Sequence, residues 1–234
     1  MESLQIPYRA VVIGATGGLG AAFLQHLEND PNCAQVVGLG RSTRPAVDLL
    51  NEITIEAVAT WLQEQAPEWD LIIDATGVLT MDGQGPEKRL RDLDPAIMAQ
   101  AFAVNAIGPA LLFKHLAPLL PRGRKGVLAT LSARVGSIED NHLGGWVSYR
   151  ASKAALNQIV RTTALEMRFS HRQAVVVALQ PGTCATPLSE PYRSRAPEVL
   201  SPEYATGRLL AVLDRLDAEQ SGSFHDFEGQ RLPF

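Results

Sequence analysis

The sequence predicts an α/β protein: one doubly wound parallel sheet of about seven strands, covered by helices on both faces. Three observations lead there. Short β-branched runs alternate with longer segments of helical period. The strand-like runs are apolar throughout rather than alternately polar, the pattern of strands buried on both faces. Glycines crowd the segment directly after the first such run.

The elements follow in order. "RAVVIG" (9–14) reads as a buried strand, and a helix follows over roughly 18–28, with Leu19, Phe23, Leu24 and Leu27 as its apolar positions. "AQVVGLG" (34–40) is a second strand, "PAVDL" (45–49) a short third, and "ITIEAVATWLQEQA" (53–66) a helix. "DLIIDATG" (70–77) is a fourth strand. Asp94 opens a long helix that runs to about Ala117, just before Pro118. "KGVLATLSA" (125–133), "AVVVALQPG" (174–182) and "GSFHDF" (222–227) complete the strands, with a helix over 147–170 between the first two of these. Only about five residues separate the second and third strands, where a parallel crossover normally needs at least ~10–12. The usual crossover helix is therefore expected to be reduced to a loop. No repeat, linker or low-complexity segment divides the chain, so 1–234 is expected to be one domain.

Composition narrows the function. With 46% apolar and 20% charged residues and a net charge of −4, the chain is neither disordered nor suited to nucleic acid or an anionic membrane. The five histidines have no metal-ligand spacing, and no metal is expected. No apolar run of ~18–20 residues is found, so no membrane span is expected. "MESLQIPYR" lacks the features of a signal peptide, and two cysteines, Cys33 and Cys184, suit a reducing compartment; a cytoplasmic location is the expectation.

In "VVIGATGGLGAAF", Gly14, Gly18 and Gly20 fall at a strand-to-helix turn, where the backbone can approach a pyrophosphate and the helix N-terminus favours negative charge. At the end of the second strand, "GLGRST" places Arg41 after Gly40, with no carboxylate until Asp48. An acidic residue there would accept hydrogen bonds from a free ribose 2′-hydroxyl, whereas arginine accommodates a 2′-phosphate. NADP(H) is therefore expected in preference to NAD(H). In "WVSYRASKAALNQ", Tyr149 and Lys153 stand one turn apart on one helix face, and an ammonium beside a phenol favours the phenolate.

The glycine spacing, "DATG" (74–77), Asn105 in "FAVNAIGP", Tyr149 with Lys153, and "PGTCAT" (181–186) occur in one order. Together they resemble the short-chain dehydrogenase/reductase family over essentially the whole chain. "LSARVGSIEDNHLGGWVSYRASKAALNQ", the short second crossover and "GSFHDFEGQRLPF" are similar to its C-factor and sniffer-type carbonyl reductase subgroup. The resemblance implies a Rossmann-type domain, usually assembled as homodimers or homotetramers, that transfers a hydride to a small-molecule carbonyl substrate.

By position, the resemblance makes Tyr149 the general acid/base and Lys153 its partner on the nicotinamide ribose, with Asn105 supporting a water chain. Gly14, Thr16, Gly18, Leu19 and Gly20 fall to the phosphate turn, and Arg41 and Ser42 to the adenosine ribose. Asp48 and Leu49 match positions that meet the adenine. Ala75, Thr76 and Gly77 lie beside the cofactor, and Pro181, Gly182, Thr183 and Thr186 meet its carboxamide and pyrophosphate. Ile13 and Asp74 depart from the usual Thr and Asn. The substrate-orienting serine is normally the second of a Ser-Ser pair, and here that register holds Ala133. Ser132 and Ser137 are the candidates to replace it.

Residues 187–204, "PLSEPYRSRAPEVLSPEY", are expected to form the substrate loop, with Arg193 and Arg195 available to an acidic substrate and Trp146 to a pocket wall. Reduction of a 3-oxoacyl thioester shares every one of these motifs. A low-turnover NADP-binding regulatory protein is the reading from another class.

Overall fold

The computed structural model describes residues 1–234, apart from the side chain of Arg195. Its expected role toward an acidic substrate thus lies outside the described residues. Six strands form one sheet: β1 (Tyr8–Ile13), β2 (Cys33–Leu39), β3 (Leu71–Asp74), β4 (Gly126–Leu131), β5 (Ala174–Gln180) and β6 (Ser223–Asp226). They pair in the order β2-β1-β3-β4-β5-β6, and every pair is parallel. The helices are α1 (Gly18–Glu28), α2 (Glu52–Gln65), α3 (Pro95–Phe102), α4 (Gly108–Leu116), α5 (Val147–Met167) and α6 (Pro202–Arg215).

Strand alternation divides the core into two layers. Val11 and Ile13 of β1 face α2, α4 and α5 with Ile55, Leu62, Leu112, Phe113 and Val160. Ala10 and Val12 face α1 and α6 with Phe23, Leu27, Leu209 and Leu213. Both faces are thus covered by helix, which accounts for the unbroken apolar runs.

The expected third strand is not formed. Residues 45–49 run as irregular chain from β2 into α2, and β2 is the sheet edge. The connection is too short to cross over and return parallel. It folds back instead: Val47 N donates to the Gly40 carbonyl at 3.0 Å and Val47 is buried. The sheet therefore has six strands. The far end of the expected substrate loop also differs, because Ser201 caps α6 and Pro202–Tyr204 form its first turn.

The long helix after Asp94 is present with an interruption. Asp94 caps α3 through Ala96 N and Ile97 N, and a wide π turn over Ala103–Ile107 joins α3 to α4. Pro109 has no N–H for the Asn105 carbonyl four residues back, and its ring would crowd that carbonyl in a regular α turn. Contrary to the sequence expectation, Pro95–Leu119 reaches the length and mean hydropathy (1.7) of a bilayer-crossing helix. Its apolar side, including Ile97, Ala101, Leu112 and Phe113, is buried in this fold, where the helix packs on α2 and α5.

Candidate active site

The order β2-β1-β3 makes the chain reverse direction across the sheet at β1, so the C-terminal ends of β1 and β3 open a crevice. Two cavities occupy it. One, of about 240 Å³, is lined by Gly14, Thr16, Arg41, Asp48, Leu49 and Val104 among others. The second, of about 340 Å³, includes Gly18, Leu19, Ser132, Tyr149, Lys153 and Thr186. Thr16, Gly17, Ala75, Thr76 and Gly77 line both, so they form one continuous cleft.

Close packing explains the glycines. A Cβ on Gly20 would lie 2.0 Å from the Gly14 carbonyl oxygen, and one on Gly18 would lie 2.7 Å from Thr186 Cγ2. Gly14 itself has φ +81°, which favours glycine. The residue capping α1, Gly17, supplies no side-chain cap, and the first turn carries no acidic residue. The amides there are left for an anion. At the other end, Arg41 is exposed at the cavity mouth while Asp48 Oδ1 accepts from Leu50 N at 3.0 Å. These features fit a dinucleotide.

Around Tyr149 the side chains are buried and strongly paired. Tyr149, Lys153 and Asn157 follow one another at four-residue intervals along α5, all with less than a tenth of their surface exposed. Lys153 Nζ donates to the Leu131 carbonyl at 2.8 Å. Burial pulls its ammonium down to about 8, and the Asp74 carboxylate acts in the opposite sense. Burial pushes the Tyr149 phenol above its ordinary value. The depression expected from Lys153 is therefore not found: desolvation alone sets the direction of the Tyr149 shift.

Asn105 is completely buried in the π turn and exchanges two hydrogen bonds with Val78: it accepts from Val78 N and donates to Val78 O, each at 2.9 Å. Its Nδ2 also reaches Ser152 Oγ at 3.2 Å. A Cβ on Gly77 would lie 3.4 Å from Lys153 Nζ and 3.5 Å from Asn105 Oδ1, so Gly77 brings these two groups to one point. Asp74, where the resemblance leads one to expect Asn, braces the same corner. It accepts from Thr76 N at 3.0 Å, Thr76 Oγ1 at 2.5 Å and Thr130 Oγ1 at 2.7 Å, while burial raises its pKa.

Ser132 lines the cleft with Tyr149, but its hydroxyl donates to Asn157 Oδ1 at 2.6 Å. Ser137 lies on a different surface, where its Oγ accepts from Asp140 N. Several expected binding residues stand outside the cleft lining. Gly20 packs behind the phosphate turn, Ser42 is exposed beyond Arg41, and Gly182 packs toward Leu200 and Phe227. Thr183 accepts from Leu200 N through its carbonyl. Val47, Val78, Val104 and Leu131 line it without having been singled out as site residues by sequence, whereas Pro187 and Leu188 belong to the expected substrate loop. Apolar residues in strand ends and loops carry no signal that separates cleft lining from core.

A parallel sheet with a glycine turn at its switch point and a buried Tyr–Lys pair facing the same cleft defines a dinucleotide-type α/β architecture. The chain belongs to the short-chain dehydrogenase/reductase family of oxidoreductases. A family model described as enoyl-(acyl carrier protein) reductase matches residues 20–211. The 1-hydroxy-2-glutathionyl-2-methyl-3-butene dehydrogenase of Rhodococcus sp. is 31% identical over 85% of this chain and 83% of its own length. The C-signal protein of Myxococcus xanthus is 34% identical over 70% of this chain and 92% of its own. The NADPH-bound carbonyl reductase from chicken fatty liver superposes with a TM-score of 0.86 at 22% identity, covering 100% of this chain and 97% of that one, a likeness of fold.

Proposed function

We propose that this protein is an NADPH-dependent carbonyl reductase with Tyr149 as its general acid/base. The observation that carries the reading is the single cleft joining Gly14, Gly18 and Arg41 to Tyr149 and Lys153. The NADPH-bound relative in fold and the dehydrogenase named for a hydroxy compound support it.

Bound in this cleft, NADPH supplies the hydride. The chain's own residues handle the cofactor and the proton. The amides of Gly18 and Leu19 bind the pyrophosphate, and Arg41 meets the 2′-phosphate. Tyr149 gives its phenolic proton to the carbonyl oxygen, and in the reverse direction takes it back. Lys153, held in place by the Leu131 carbonyl, presents an ammonium to the ribose. Asn105, buried behind Gly77 and bonded to Val78, supports the water chain that reprotonates the site. Leu131, Pro187 and Leu188 limit access of bulk water to it.

The decisive experiment follows NADPH oxidation against ketones, aldehydes and quinones, with Tyr149→Phe as control. Turnover of a carbonyl that Tyr149→Phe abolishes supports the reading; tight NADPH binding with no turnover of any carbonyl overturns it. The second outcome would favour a regulatory NADP-binding protein, a reading supported by the similarity to C-signal and by the commitment of the Ser132 proton to Asn157. Assembly into two or four copies goes with the reductase reading. It is supported by a groove of about 640 Å³ along α5 at Val147, Ala151 and Ala154, beside the exposed Leu90 and Ile138. Sedimentation tests it. The free cysteines Cys33 and Cys184 support a cytoplasmic location, which fractionation of the source cells tests.

A further inference from the structure

Three aromatic rings from two parts of the chain, Tyr149, Trp146 and Tyr192, stand in a row. Trp146 is edge-on to Tyr149, with ring centroids 6.2 Å apart, and Tyr192 is edge-on to Trp146 at 5.1 Å. Such edge contacts are favourable for aromatic pairs and leave ring faces available to a third flat group.

Trp146 and Tyr192 are both held by one loop, Thr80–Glu87. Trp146 has φ 53° and ψ 40°, the left-handed region, directly after Gly144 and Gly145 at φ +65° and +67°. Glycine enters that region freely, but tryptophan does so only when its surroundings hold it there. Glu87 does the holding. Its carbonyl accepts Trp146 N–H at 2.5 Å, and its buried carboxylate accepts Ser148 N–H at 3.2 Å and the Ser148 hydroxyl. On the other side, the Tyr192 hydroxyl pairs with Thr80 Oγ1 at 3.3 Å and lies 2.3 Å from where a Cβ on Gly85 would stand. Gly85 keeps the space that the hydroxyl fills.

Three of the cations nearby are engaged. Lys153 donates to Leu131, and Arg193 pairs with Glu190 at 3.4 Å. Arg150 spends its guanidinium on the carbonyls of Val135, Gly144 and Gly145. Among the described residues around this wall, no arginine is left over for a carboxylate or phosphate. Leu131, Pro187 and Leu188 continue the apolar surface at Tyr149.

We infer that Trp146 and Tyr192 determine specificity by forming an aromatic wall that selects an uncharged carbonyl compound whose C=O is borne on a flat aromatic or conjugated group. The inference rests on the carbonyl reductase reading and adds the substrate class. The wall acts through stacking and shape, so its loss should weaken binding of flat substrates more than that of compact ones.

The test compares acetophenone with 2-butanone. In Tyr192→Ala, the ratio of kcat/KM for acetophenone over 2-butanone should fall by about tenfold, chiefly through KM. Gly85→Ala, outside the cleft, should displace Tyr192 and move the ratio the same way. An unchanged ratio, or equal losses for both ketones, would overturn the inference. Direct titration of the two ketones into the NADP⁺-saturated protein separates this from failure of the reductase reading. Tyr192-dependent preference for acetophenone without turnover of any carbonyl would leave the wall standing and remove the reductase. Equal affinity of wild type for both ketones would remove the wall whether or not turnover occurs. Should Tyr192→Ala fail to fold, Gly85→Ala and Tyr192→Leu give the same two readouts.

Discussion

The Lys153 ammonium on α5 donates to the carbonyl of Leu131, the last residue of β4, at 2.8 Å. This bond ties the helix that carries Tyr149 to the end of the central sheet, so the acid/base and its cation are set by one contact. Tyr149→Phe should keep NADPH binding and lower turnover by ~10²-fold or more, since it removes only the proton donor. Lys153→Ala should weaken NADPH binding as well, and combining the two should cost little further turnover, because groups acting as a unit are not additive. Turnover and NADPH affinity of the three variants decide this. Near-wild-type turnover of Tyr149→Phe would refute the mechanism.

Cofactor choice should rest on Arg41. It stands at the cavity mouth beside Gly40, and the carboxylate that lines this cavity, Asp48, is turned to the backbone of Leu50. Wild type should bind NADPH more tightly than NADH, and Arg41→Ala should lose most of that preference while retaining NADH affinity. Titration of both cofactors into both proteins checks it, and equal wild-type affinities would contradict it.

Ser132→Ala should cost about tenfold in turnover or less, well short of Tyr149→Phe, because its one proton is already given to Asn157 at 2.6 Å. Ala133→Ser should hold or raise turnover. A loss in Ser132→Ala equal to that of Tyr149→Phe, with NADPH affinity intact, would show that the hydroxyl turns to the substrate.

NADPH affinity should depend on pH through Lys153, whose ammonium burial pulls down to about 8. The charged form, which holds the cofactor, is present below that value and is lost as pH rises through it. Affinity should therefore fall on the alkaline side of about pH 8. Asp74 opposes the burial effect, so Asp74→Asn should move the midpoint to lower pH. Binding titrations from pH 6 to 10 measure both midpoints, and coincident midpoints would show that Asp74 exerts no field on Lys153.

Much of the fold was legible because it rests on local pattern. Apolar runs and helical periods placed β1, β2, α1, α2, β4, β5 and β6 near their observed limits. The glycines at 14, 18 and 20 and the four-residue interval between Tyr149 and Lys153 could be read directly, since strand-to-helix turns and helix faces depend on neighbours in sequence. The third strand was misread for the converse reason. "PAVDL" has strand-like composition, but pairing depends on whether the preceding chain can cross the sheet, and here it is too short.

By itself, then, the sequence determined the order of strands and helices, the phosphate turn and which residue types share the helix face of Tyr149. Only the tertiary structure decided that Lys153 meets Leu131, that Ser132 gives its proton to Asn157, and that Tyr192 packs on Trp146 with its hydroxyl in the space left by Gly85. It also decided the direction of the Tyr149 shift, toward the protonated form. Each of these joins segments remote in sequence or depends on exclusion from water, and neither is written in any local run of residues.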